Sequence, residues 1–377
     1  MLSFKQYLSE SKKPVAGILH IEHPSDRSFD DKEAAHHALA TLRGVSAGHV
    51  PITRKIDDKM SFHAIRTPEG KIGVKYKGAG AHYNFSAADI DKQHGHKPYL
   101  VGPLKALHAH LGKILPEKPG EYQGGYMSEP STRTISRGRI GHTPNTVEYN
   151  TPVDSEEGKK LRKSKVSVTI HTALKGEHKT AEPLTDVSHF RSHPDVHLVQ
   201  HLLSPKEKNI PAHIKSQVDD HLDAAEKLMK KHSYDHLQGH STNLRTYINK
   251  TVSSGETPSV SGYRNHLIGA HQKKIDAVKT DAAKERKKAE MHSNLQHVDD
   301  NKHHFERSLQ LHHHLQQATN LLARGLHKPV GGGFHTKIGG KESGGEGYVA
   351  GGLKVVDREE FSKANRERTE ILKASRK

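Results

Sequence analysis

Between about residue 196 and residue 326 the chain is rich in Leu, Ala, Lys, Glu, Gln and His and carries few strand signals, whereas short alternating runs lie on both sides of it. That pattern fits one α+β core interrupted by an all-helical insertion better than three domains in series. The reading divides the chain into a helical lead over 1–48, a first part of the core over 49–195, the helical insert over 196–328, a second part of the core over 329–365, and a charged tail over 366–377. No internal repeat is evident.

Local patterns fill in this frame. Residues 1–13 read as a short amphipathic helix, and Ala34, Ala35, Ala38, Leu39 and Leu42 recur at helical spacing over 30–44. Runs at 60–66 and 71–77 flank Thr67-Pro68-Glu69-Gly70, which predicts a hairpin. Leucines three or four apart predict a helix over 99–115, and 122–127, 145–150 and 165–172 are strand candidates. Within the insert, helical patterns cover 213–232, 264–292 and 298–325, with a Ser/Gly/Pro loop at 251–261. After a glycine-rich stretch from 329 to 347, Tyr348-Val349 and 353–356 read as strands.

The net charge is +16, from 59 Lys and Arg against 43 Asp and Glu. Such a field concentrates polyanions, so nucleic acid, DNA or RNA, is the expected partner. No basic amphipathic helix carries aromatic anchors and no apolar run reaches about 18 residues, so neither membrane binding nor a membrane span is expected. The N-terminus has no long apolar stretch, which makes a cytoplasmic location the default. The absence of cysteine excludes disulfides and thiolate metal sites. There are 34 histidines, but His312-His313-His314 and His303-His304 sit in a helical pattern where neighbours diverge, so no metal ligands are assigned.

Three constellations bear on chemistry. Lys55-Ile56-Asp57-Asp58 places a lysine at a loop-to-strand junction before two acids, and Arg54 and Lys59 are nearby cations that favour its neutral form. The same residues also suit a surface Lys–Asp pair. Lys75 and Lys77 share a strand face beside Gly78 and Gly80, as a phosphate site or an exposed basic hairpin requires. Glu346 stands among glycines at a strand start, with Lys354 on the next strand; a ribose or metal-bound water could meet the first and phosphate the second.

In this order the segments resemble the motif series of covalent nucleotidyltransferases, the ATP-dependent ligases and capping enzymes. Lys55-Ile-Asp-Asp58 is similar to the K-x-D-G motif with Asp58 in place of glycine; Glu346-Gly-Tyr-Val349 matches E-G-x-V; Lys354 matches the final lysine motif, with Val356 where a second lysine belongs. The middle motif departs most: Tyr122-Gln-Gly-Gly-Tyr-Met127 holds no acid, and Glu121 precedes it. The chain also resembles a narrower family of proteins from large tailed phages, in which the first motif reads K-W-D-G and the middle one Q-G-D. His20–Asp26, Asp89–Lys92, Pro144–Tyr149, Pro152–Ser155 and Glu346–Asn365 carry that likeness, which leaves the helical insert outside it.

The resemblance implies a ligase-like nucleotidyltransferase core of antiparallel sheets, with Lys55 as the catalytic nucleophile. Asp57, Lys75, Lys77, Glu346 and Lys354 are implied to bind the nucleotide, with ATP and Mg²⁺ as cofactors, nucleic-acid ends as substrate, and the host cytoplasm of an infected bacterium as location. Two other readings stay open at this point: a ligase-like protein that binds nucleic acid without turnover, and a phage structural or assembly protein.

Overall fold

The computed structural model describes residues 21–374 apart from 79, 81, 177–179, 200 and 327–334. The expected helix over 1–13 and the last residues of the charged tail lie outside the described residues. The strands are β1 (Ile52–Arg54), β2 (Met60–Arg66), β3 (Ile72–Tyr76), β4 (Gly120–Ser128), β5 (Thr134–Ser136), β6 (Arg139–His142), β7 (Glu148–Pro152), β8 (Val166–Lys175), β9 (Thr180–Pro183), β10 (Val196–Leu198), β11 (His335–Ile338), β12 (Lys341–Glu342), β13 (Tyr348–Ala350) and β14 (Leu353–Val355). The helices are α1 (Lys32–Ser46), α2 (Ala87–His94), α3 (Pro98–His110), α4 (Glu156–Lys163), α5 (Ala212–Met229), α6 (Ser241–Ser254), α7 (Val260–Asp276), α8 (Asp281–Asp300), α9 (Lys302–Leu326) and α10 (Arg358–Ala374). This is a mixed α+β chain with largely antiparallel sheets, as expected.

Three sheets form, in the orders β1-β13-β14, β10-β8-β4-β2-β3 with β9 on β8, and β12-β11-β7-β6-β5. Every pairing is antiparallel except β10 with β8. The largest sheet follows from alternation. Met60, Phe62 and Ala64 of β2, Val74 of β3, Tyr122 and Tyr126 of β4, and Val166, Val168 and Ile170 of β8 share one face and pack on Leu100, Leu104 and Leu107 of α3. The intervening residues put Ser61, His63, Lys75, Gln123, Gly125, Ser167 and Thr169 on the opposite, polar face.

The helical segment does not stand apart. Leucines of α5 and α9 form one core with Leu39 and Leu42 of α1, Ile52 of β1 and Tyr348, Leu353 and Val355 of β13 and β14. A second apolar cluster, around Phe305, Tyr263 and Leu244, holds α6 to α9 together and takes in Phe29 from the N-terminal part.

Several boundaries differ from the sequence reading. The helices begin at Ala212, because the chain before them still meets the sheets: β10 pairs with β8, and the Leu203 amide donates to Ile52 O at 2.9 Å. The pattern over 264–292 is two helices, broken after Asp276 and restarted where Thr280 caps α8 through the Ala283 amide. The strand expected at 145–150 runs from Glu148 to Pro152, because Asn145 and Thr146 turn to bind Asp57.

Candidate functional site

Strand β1 comes from the first part of the chain and β13 and β14 from the last, and their register sets the site. Arg54 lies opposite Tyr348, which places Lys55 beside the glycine loop that precedes β13. The Lys55 amide donates to Gly347 O at 2.8 Å, and its Nζ is ion-paired with the Glu346 carboxylate across 291 positions of sequence. Gly347 has φ +101°, a left-handed conformation, and a Cβ there would meet Val355 O at 2.8 Å, so the loop needs glycine to turn Glu346 toward Lys55. Burial raises the proton affinity of the Glu346 carboxyl, against the opposing pull of Lys55. The pair fixes the Lys55 amine beside the loop, with a carboxylate within reach of any proton that the amine gives up.

The other expected site residues are distributed as follows. Lys354 lies across from Val349 on β14, and its amide donates to Glu22 O at 2.8 Å. Burial lowers the proton affinity of its ammonium; Lys55 acts in the same sense and Glu346 against it, so Lys354 lies within electrostatic reach of the Lys55–Glu346 pair. Lys77 follows β3, with its amide on Ser61 O at 3.1 Å. Burial lowers its proton affinity as well, and Asp58 opposes that effect. Lys75 is on the polar face, but its Nζ donates to Gly80 O at 3.1 Å and lies 4.6 Å from the centre of the Tyr83 ring. It therefore braces the loop after β3.

Asp57 is also engaged internally. Its Oδ1 accepts from Asn145 Nδ2 at 2.9 Å, and its Oδ2 from the amides of Thr146 and Val147 at 2.5 and 2.8 Å. The resemblance assigns it to the nucleotide; in this structure it clamps the β6–β7 turn onto the Lys55 loop. Asp57→Ala leaves three buried or half-buried donors unmet and is expected to destabilise the protein by about 2–4 kcal/mol, measured by urea titration. A loss below about 1 kcal/mol would contradict the clamp.

Sequence reasoning passed over His63 and His171, and noted Glu121 only as preceding the middle motif and Asp58 only as a departure from the first. His63 is buried on β2, and its Nδ1 is 3.6 Å from Glu121 Oε1. Burial, with His201, Lys77, Lys55 and His63 adding to it, holds the His171 imidazole down at about 4. Its Nδ1 is 2.8 Å from Thr172 Oγ1. Burial pushes the Asp58 carboxyl up to about 6, with Asp57 and Glu346 acting in the same direction, while Ser61 Oγ donates to it at 2.8 Å and draws it down. The alternation in Val166-Ser-Val-Thr-Ile-His171 and in Met60-Ser-Phe-His63 was the available signal, since it places each histidine on the face that the apolar residues leave.

The polar face thus gathers cations around one lysine–glutamate pair and is suited to phosphate. Beyond the glycine loop, a pocket of about 120 Å³ lies between Glu346, Phe361 and the Arg324–Asp357 ion pair. That volume is smaller than the roughly 300–1,000 Å³ of a typical ligand site. Among the described residues, no group of three or more His, Asp or Glu is placed to hold a metal ion, and no helix is long and apolar enough to cross a membrane.

Comparison with curated proteins and with solved structures finds no match for this chain. Residues 19–369 match the profile of the family of unknown function DUF6267, and on that span the chain belongs to this family.

Proposed function

We propose that this protein is a ligase-like nucleotidyltransferase that forms a lysyl-nucleotide on Lys55 and acts on nucleic-acid ends. The observation that carries the reading is the Lys55–Glu346 pair, which joins the two motif segments at the polar face of the large sheet. The neutral Lys55 Nζ attacks the α-phosphorus of ATP, a P–N bond forms, and the bond to pyrophosphate breaks. Glu346 takes the proton that the amine gives up. A divalent cation such as Mg²⁺ would screen the charge of the triphosphate, and Glu346 is the carboxylate that would meet it or its water. Lys77 and Lys354 offset phosphate charge, while Lys75 keeps the adjoining loop in place. Transfer of the nucleotide to a terminal 5′-phosphate then restores the Lys55 amine.

The test is incubation with α-labelled ATP or GTP and magnesium. Acid-labile label on Lys55, absent from Lys55→Ala, is the expected result. If no nucleoside triphosphate gives a label that depends on Lys55, the enzymatic reading is wrong.

A second reading, polyanion binding without turnover, draws on the internal engagement of Asp57 and Lys75. It predicts salt-dependent nucleic-acid binding that Lys55→Ala leaves unchanged.

A further inference from the structure

Among the described residues, Arg137 is the one non-glycine residue with a positive φ. With Gly138 it forms the two-residue turn between β5 and β6, at φ +48° and +71°, and Ser136 pairs with Arg139 across it. A hairpin turn of that hand favours Asn, Gly or Asp at its first position, because a Cβ crowds the backbone there. The arginine side chain gives nothing back locally. It is exposed and makes no hydrogen bond or ion pair among the described residues. The conformational cost is therefore not offset within the chain, the condition in which strain marks a functional contact.

The surrounding surface is open and cationic. Thr134, Ile135 and Ser136 form the edge strand of the five-stranded sheet, and all three are exposed. Ile135 is 59% exposed, although its cross-strand partner Ile140 is buried. At the base of the hairpin, Arg133 Nη1 donates to Leu161 O at 2.5 Å and to Ser164 O at 2.8 Å, which fixes the C-terminal end of α4 beside it. That end carries Arg162 and Lys163, exposed and without ion pairs among the described residues. The acids of α4, Glu156 and Glu157, are taken by Lys159 and Lys160 at 3.0 and 3.2 Å, which leaves Asp154 as an exposed acid between hairpin and helix. The far end of β6 leads into the turn that Asp57 clamps to the Lys55 loop, so the tip stands roughly 10 Å of strand from that turn.

We propose that the β5–β6 hairpin is a contact surface for duplex DNA, with Arg137 reaching a phosphate and Ile135 lying against the groove. Two adjacent strands have backbones about 5 Å apart, and with their side chains they fit a major groove about 12 Å wide. The planar guanidinium matches a phosphate through paired donors. The inference rests on nucleic acid being the substrate, as proposed above. Its test contains no nucleoside triphosphate, so a Lys55 that takes no label and a hairpin that grips no DNA are separate outcomes.

The experiment titrates the full chain against fluorescein-labelled duplex DNA, read by anisotropy, at salt from about 50 to about 200 mM. Arg137→Asn is expected to weaken binding roughly tenfold at low salt and to reduce the slope of log affinity on log salt by about one. The same variant is expected to raise the melting temperature by about 1–2 °C, because asparagine suits the turn. Ile135→Ser is expected to weaken binding about threefold and leave the slope unchanged, since it removes apolar contact and no charge. Lys274→Gln, which takes an exposed cation from α7, is the control for net charge. Absence of duplex binding, equal losses for Arg137→Asn and Lys274→Gln, or a melting temperature lowered by Arg137→Asn would overturn the proposal.

Discussion

Arg358→Met is expected to destabilise the protein by about 3–5 kcal/mol, because it leaves a buried carboxylate without its main counter-charge. Asp26 and Arg358 are 7% and 5% exposed, and Arg358 Nη1 donates to Asp26 Oδ1 at 2.8 Å. The same guanidinium reaches Gln316 Oε1 at 3.3 Å and Asn249 Oδ1, while His312 Nε2 is 3.2 Å from Asp26 Oδ1. Burial opposes ionisation of Asp26, yet the His312 hydrogen bond and the Arg358 charge hold its carboxyl well below the ordinary range. A depressed carboxyl adds stability above the ordinary carboxylate pKa and loses it as pH falls through the folded value. The pair ties the start of α10 to α9, to α6 and to the turn at residues 25–29, so its loss reaches four parts of the chain. Urea titration at pH 7.5 measures the effect. Asp26→Leu/Arg358→Met is expected to regain most of the loss, since no unpaired charge then remains. A single-variant loss below about 1 kcal/mol would show that water already solvates Asp26.

Acidification is expected to unfold the protein cooperatively, with a midpoint between about pH 4 and pH 5. Burial holds the imidazoles of His23, His142 and His236 down at about 3, and those of His171, His232 and His240 at about 4, against an ordinary 6.5. Below pH 6.5 the unfolded chain therefore takes up protons that the folded chain refuses, and stability falls with pH. Asp30, Asp58 and Glu346 have raised folded pKa values and act in the opposite sense, taking up protons first in the folded state. Those six histidines outnumber the three carboxyls, so the unfolded chain binds the more protons below pH 6.5, and each proton in excess lowers stability by about 1.4 kcal/mol per pH unit. A domain stability of roughly 5–15 kcal/mol is then exhausted within a few pH units. Circular dichroism from pH 7.5 to 3.5 is expected to stay flat to about pH 5.5 and then drop cooperatively, while urea midpoints fall already below about pH 6.5. Equal urea midpoints at pH 7.5 and pH 5 would refute the histidine account.

The histidine-rich segment also shows where sequence reading stops. Consecutive histidines diverge around a helix, and the structure bears out that geometry: His312 packs against Phe29 at 5.0 Å, whereas His314 meets His221. The burial of His312 in the helical core was not legible, because histidine counts as polar in any periodicity argument. The hairpin of β2 and β3 was legible within a residue or two, since alternation and the Pro68-Glu69-Gly70 turn are local signals. The hairpin of β5 and β6 was missed, because Thr134-Ile-Ser136 is exposed and has no apolar face to reveal it. The short helices α2 and α4 were missed as well; each depends on a serine cap, Ser86 or Ser155, more than on an apolar stripe.

Local chemistry along the chain accounts for the cationic balance, most of the long elements, and the two short segments that hold Lys55 and Glu346. These are set by sterics, alternation and glycine conformation within a few residues of each position. The meeting of distant segments accounts for the rest: β1 pairs with β13, Asp57 is spent on a turn, Asp58 covers Gly125, and Arg358 neutralises Asp26. Each of those depends on which buried groups meet when the sheets close over hundreds of residues, and no local pattern records that choice.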